Sequence, residues 1–67
     1  MRFKVNHFED KDGERTMVRS QVFRAKNALK AICQYLFPEA PVEGFACTNR
    51  YGEYREGTTL VRAVVCR

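Results

Sequence analysis

The segment VFRAKNALKAICQYLFP, residues Val22–Pro38, has the pattern of a short amphipathic helix and decides the predicted fold. We predict that the helix runs from about Asn27 to Phe37, with the Asn27 side chain as its N-cap. Pro38 ends the helix, because the residue before a proline avoids helical geometry. The apolar positions recur at the spacing of one helix face. They are Leu29, Ile32, Cys33 and Leu36.

The opposite side of this helix is polar and basic. Lys26, Lys30 and Gln34 lie there, and Arg24 comes just before the helix. Two lysines one turn apart suit a phosphate backbone, but any amphipathic surface helix needs a polar face of this kind. The sequence leaves both interpretations open.

The segment before the helix predicts a β-hairpin. Residues 1–9 alternate as in a half-buried strand, with Phe3, Val5 and His7 on one face. Asp12-Gly13 is a turn signal, since glycine tolerates the positive φ of hairpin turns. Residues 15–24 form the second strand in this interpretation. The alternative is a longer helix that starts near Ser20.

The segment after the helix predicts two further strands, residues 42–50 and 58–66, joined by the polar loop NRYGEYREG (49–57). The sum is a ββαββ order, or βαββ if the longer helix forms. Either order is a single α+β domain over residues 1–67, a small antiparallel sheet with one amphipathic helix packed on one face.

The last predicted strand is apolar on both faces. Leu60, Val64 and Cys66 point one way. Val61, Ala63 and Val65 point the other. One short helix covers a single face of a sheet, so we expect the second set to lie on an uncovered face and to form the interface of a homodimer.

Composition bounds the class of protein. The chain has 67 residues with a formal net charge of +4, and its mean composition is that of a small globular domain. No run approaches the length of a membrane-spanning helix and no signal peptide is evident, so we expect a cytoplasmic protein without membrane contact. Cys33, Cys47 and Cys66 lack metal-site spacing, which predicts free thiols, no metal and no cofactor. No catalytic motif is present, and we expect no enzyme.

The loop NRYGEYREG mixes aromatic rings with guanidinium groups, as surfaces that stack on unpaired bases do. Glu53 and Glu56 dilute its positive charge. A second basic surface exists if Arg2 and Lys4 share an exposed sheet face with Arg62. The candidate nucleic-acid contacts are Arg24, Lys26, Lys30, Arg50, Tyr51, Tyr54 and Arg55.

The order of a strand, DKDG, a second strand running into FRAKNALKAICQYLFP, and then VEGFACTNR resembles small accessory proteins of phages and other mobile elements. This resemblance implies a compact binding protein and assigns no functional residue. We therefore expect a non-enzymatic module that binds nucleic acid through the basic helix face and the Arg/Tyr loop. The alternative is a protein-interaction module, an inhibitor or adaptor of a partner protein, that uses an exposed sheet face or edge.

Overall fold

The hairpin predicted at Asp12-Gly13 is present in the computed structural model, which describes residues 1–36 and 45–66. Asp12 and Gly13 both have positive φ, 53° and 81°, as a two-residue hairpin turn requires. The turn joins two long antiparallel strands, so the alternative of a long helix starting near Ser20 is wrong. Residues 37–44, with the predicted helix stop at Pro38, lie outside the described residues, as does residue 67.

The described elements follow the order ββαβββ. They are β1 (Arg2–Lys11), β2 (Glu14–Arg24), α1 (Ala28–Leu36), β3 (Phe45–Cys47), β4 (Tyr51–Glu56) and β5 (Thr59–Cys66). The strands form one antiparallel sheet in the order β2-β1-β5-β4-β3. The α+β class with one helix on an antiparallel sheet is confirmed. The strand count is five rather than four, because most of the predicted loop NRYGEYREG is strand β4.

The helix begins where the N-cap was predicted. The Asn27 Oδ1 atom accepts a hydrogen bond from the backbone N–H of Lys30 at 2.9 Å, which satisfies one of the donors that a helix start leaves without a partner. The helix then continues from Ala28 to Leu36.

An Asn27→Ala variant is expected to lose about 1 kcal/mol of unfolding free energy, because the Lys30 N–H loses its acceptor. Asn27→Asp keeps an acceptor at the same position and should stay close to the original stability. Urea unfolding followed by circular dichroism measures both. Equal midpoints for the alanine and aspartate variants would show that the cap contributes nothing.

The buried side of α1 differs from the predicted stripe. Ala28, Ala31 and Ile32 are fully buried, whereas Leu29 is exposed and Cys33 is only partly buried. The reason is the close approach of the helix to Gly52 of β4. A Cβ atom built on Gly52 would lie 2.7 Å from Cys47 Sγ and 3.0 Å from the Cβ of Ala28. Ala28 and Ile32 therefore face Gly52, whereas Leu29 turns outward. Leu36 of the predicted stripe packs against the core.

The prediction that Val61, Ala63 and Val65 line an uncovered face is wrong. Val61 and Ala63 are fully buried in the core, and Val65 packs against it. The register with β1 explains this, since Val65 pairs with Phe3 and Ala63 with Val5. Residues paired directly across antiparallel strands share a face. The three side chains therefore lie under α1, and the homodimer remains a prediction without this interface.

Strand β2 forms one edge of the sheet and carries a β-bulge. His7 pairs with Arg19 and Phe8 with Met17, so Val18 is an extra residue without a partner on β1. A bulge reverses the alternation of faces along the bulged strand. This explains why the apolar residues of residues 15–24 do not alternate regularly in the sequence.

Candidate nucleic-acid interface

The sheet face opposite α1, here called the open face, carries no helix among the described residues, although Leu60 on this face is fully buried. The pairing registers place its side chains in rows across the strands. The rows are Arg24, Arg2 and Cys66; Val22, Lys4, Val64 and Tyr51; Ser20, Asn6, Arg62, Glu53 and Ala46; Met17, Phe8, Leu60 and Arg55; and Arg15 with Asp10. Apolar and aromatic side chains thus lie between basic ones.

The open face is strongly basic. Its cations are Arg2, Lys4, Arg15, Arg24, Arg55 and Arg62, and its carboxylates are Asp10 and Glu53. The Arg15 Nε atom donates a hydrogen bond to Asp10 at 3.0 Å, and this contact holds the pKa of Asp10 below its ordinary value. Arg15, Arg55 and Arg62 interact with these two carboxylates, and the six cations still exceed the carboxylates in number.

The centre of the open face combines aromatic rings with a guanidinium group. The Arg62 guanidinium lies over the Phe8 ring, 5.7 Å from its centroid, a cation–π distance. Its Nη2 atom lies 3.4 Å from the Glu53 carboxylate. The Tyr51 hydroxyl donates a hydrogen bond to the same carboxylate. Tyr51 and Arg62 together hold the pKa of Glu53 below its ordinary value.

The structure divides the predicted contact residues between several places. Arg24, Tyr51 and Arg55 lie on the open face. Lys26 is exposed in the connection between β2 and α1. Lys30 is exposed on α1, where it borders an open groove with Phe23, Cys33 and Gln34. Arg50 is exposed in the turn before β4. The helix lysines and the Arg/Tyr segment therefore do not form one surface.

Tyr54 cannot stack on a base, so its place among the predicted contacts is wrong. Its side chain is 4% exposed and belongs to the core cluster under α1. The Tyr54 hydroxyl donates a hydrogen bond to Glu56, and this contact raises the pKa of Tyr54 to about 12. Because Tyr51 and Tyr54 are three residues apart on one strand, they point to opposite faces of the sheet.

The second basic surface considered from the sequence is present, since Arg2, Lys4 and Arg62 do share the open face. Phe8 and Arg15 also belong to this face, and the sequence reasoning missed them. The position of Phe8 follows from the alternation of β1, in which even-numbered residues oppose the buried Phe3 and Val5. The position of Arg15 depends on the bulge, for which the sequence carries no clear signal.

The covered face carries a polar cluster that ties α1 to the sheet. His7 Nδ1 is hydrogen bonded to the Tyr35 hydroxyl at 2.7 Å, and its Nε2 is hydrogen bonded to Glu9. The Thr59 hydroxyl donates to Glu9 at 2.8 Å. Partial burial raises the pKa of Tyr35, so its hydroxyl is a proton donor at neutral pH rather than a nucleophile. These contacts position the helix.

Within residues 1–36 and 45–66, no group of three or more histidine, cysteine or acidic side chains is arranged to hold a metal ion. The only helix in these two ranges lacks the length and hydropathy of a membrane-spanning helix. No family model, curated protein or solved structure matches the chain. The geometry of the open face is therefore the basis on which a function can be proposed.

Proposed function

We propose that the protein is a small binding module that holds nucleic acid on the open face of its sheet. The supporting observation is the excess of cations on this face, which occur at both ends of the strands. Arg2, Lys4 and Arg24 lie at one end, and Arg15 and Arg55 lie at the other. Lysine and arginine side chains in such numbers neutralise phosphates and release their counterions.

The basic side of α1 has a smaller part in this proposal than its sequence suggested. Lys30 lies on α1, which packs on the covered face of the sheet, and Lys26 lies in the connection between Arg24 and α1. Neither side chain belongs to the rows of the open face, so a strand of nucleic acid on that face does not require them. They are the solvated side of a helix whose apolar side covers the core.

The experiment compares two double variants that each remove two positive charges. Lys4→Gln/Arg24→Gln changes the open face, and Lys26→Gln/Lys30→Gln changes the helix side. Fluorescence anisotropy of a labelled mixed-sequence oligonucleotide measures affinity over a series of salt concentrations. We expect the open-face variant to reduce the slope of log K against log salt by roughly 1.5, because two phosphate contacts are lost. The helix-side variant should keep the original slope.

Two results would contradict the proposal. One is that the unmodified protein ignores the oligonucleotide even at low salt. The other is that both double variants weaken binding equally, which would mean that net charge acts without a preferred face. Circular dichroism of each variant confirms that the fold is retained, since all four side chains are exposed.

A protein partner is the second candidate, and the edge strand β2 supports it. Met17, Val18 and Val22 are each more than half exposed along this edge, and exposed apolar edge strands accept an added strand from a partner. Such a complex would survive moderate salt, whereas phosphate contacts weaken steeply. Failure of oligonucleotide binding at low salt would make this candidate the better one.

A further inference from the structure

We infer that the nucleic acid held on the open face is single-stranded, with bases stacked on a strip formed by Tyr51, Arg62 and Phe8. This inference rests on the proposed function and adds the form of the ligand to it. The three residues lie on β4, β5 and β1, which are neighbours in the sheet. They therefore form a diagonal strip across its centre.

The strip has the chemistry that unpaired bases require. Tyr51 is 37% exposed, and its hydroxyl is held by Glu53, so the ring has a fixed place on the surface. The Arg62 guanidinium lies over Phe8 while a third of its side chain stays exposed. Aromatic rings and guanidinium planes are the surfaces on which single-stranded bases stack, whatever the sequence.

The Arg62 guanidinium contacts one aromatic ring and one carboxylate. Its Nε atom is buried and has no hydrogen-bond partner within the described parts of the chain. The Phe8 ring and the Glu53 carboxylate are the contacts that position the guanidinium. One third of the Arg62 side chain stays exposed, and this is the part that a base can reach.

The arrangement of charge also favours a single strand over a duplex. Lys4 lies in the same row as Val64 and Tyr51, and Arg55 lies in the same row as Phe8, so cations lie on both sides of the diagonal strip. A duplex turns its phosphates outward and would place charged oxygens against Val64 and the rings of the strip, which costs desolvation energy. A single strand can direct its phosphates to the flanking cations and its bases to the strip.

The test uses a labelled mixed-sequence DNA strand, the RNA of the same sequence and the DNA duplex made with the complement. We expect both single strands to bind at least tenfold more tightly than the duplex at equal salt. Tyr51→Ala should lower single-strand affinity roughly tenfold, because one stacking platform is lost. Tyr51→Phe keeps the ring but loses the hydrogen bond to Glu53, so its affinity should fall less than that of Tyr51→Ala.

The outcomes separate this inference from the proposed function. Equal binding of duplex and single strand, or unchanged single-strand affinity in Tyr51→Ala, would overturn the stacking strip while phosphate binding on the open face still stands. Failure of the unmodified protein to bind any of the three ligands would overturn both. A thermal melt of Tyr51→Ala checks its fold, and the backbone hydrogen bond from Tyr51 to Thr48 does not need the ring.

Discussion

A Gly52→Val variant is expected to lose a large part of its free energy of unfolding. Even a single Cβ atom at this position meets Cys47 Sγ at 2.7 Å, Ala28 Cβ at 3.0 Å and Ile32 Cδ1 at 3.1 Å. Overpacking of a core costs about 1–3 kcal/mol, and valine adds two methyl groups beyond the Cβ atom. A domain of this length has only about 3–10 kcal/mol of stability in total. Gly52→Ala should lie between the valine variant and the original protein.

The matched control for Gly52→Val is Ala46→Val. Ala46 lies on the neighbouring strand β3 and faces the open side of the sheet opposite Glu53, where it is exposed. A valine there has space around it, and surface substitutions of this kind stay within about 0.5 kcal/mol. Urea unfolding of the three variants measures the difference. A Gly52→Val protein that unfolds at the original midpoint would show that α1 can move away from the sheet at little cost.

An Ile32→Ala variant is the second change with a large expected effect. Ile32 is fully buried in the core between α1 and the sheet. Truncation of a buried isoleucine to alanine costs about 2–5 kcal/mol through lost burial and the cavity that remains. Because alanine is the better helix former, helix propensity opposes this loss only slightly.

Leu29→Ala, on the same helix, is the control for Ile32→Ala. Leucine and isoleucine have the same number of carbon atoms, but Leu29 is 38% exposed. We expect its truncation to cost less than half as much as truncation of Ile32. Equal losses at the two positions, measured by chemical unfolding, would mean that the stripe predicted from the sequence is the buried one after all.

The sequence pattern predicted the helix α1 but not which of its faces is buried. Two stripes with the same spacing exist on it. One contains Leu29, Ile32, Cys33 and Leu36, and the other contains Ala28, Ala31, Ile32 and Tyr35. Hydrophobicity favours the first stripe. The structure buries Ala28, Ala31 and Ile32, and Tyr35 and Leu36 pack against the core. Both stripes are therefore partly confirmed, and Leu29 is the member that lies outside the core. A single sequence does not state which residues of the sheet face the helix. The rotation of α1 about its own axis was therefore not predictable.

The strands show the same limit. The hairpin at Asp12-Gly13 was predictable, since the turn and both strands are local in sequence. The faces of β5 were not, because both are apolar and only the register with β1 distinguishes them. The sequence predicts a loop where β4 lies, because charged residues occur on both faces of this strand. Glu53 and Arg55 lie on one face, and Glu56 lies on the other.

The residues of the open face were predictable only in part. The sequence predicts contacts at Arg24, Tyr51 and Arg55, and these three side chains lie on one surface. It groups Tyr54 with them, although Tyr54 is buried in the core. Closeness in sequence does not define a surface here, because in a sheet neighbours across strands share a face and neighbours along a strand face opposite sides.

The extra residue in β2 has a consequence for self-assembly. Suppose that an identical chain pairs with this edge. Its side chains then alternate between the two sheet faces in step with those of β2 on one side of Val18 and out of step on the other. Endless stacking of copies into fibrils requires long segments in uniform register. The bulge interrupts that register in the middle of the longest unpaired edge, and Arg15, Arg19 and Arg24 add repulsion between copies. The bulge at Val18, which breaks the alternating pattern of β2 in the sequence, therefore also opposes the growth of fibrils from this edge.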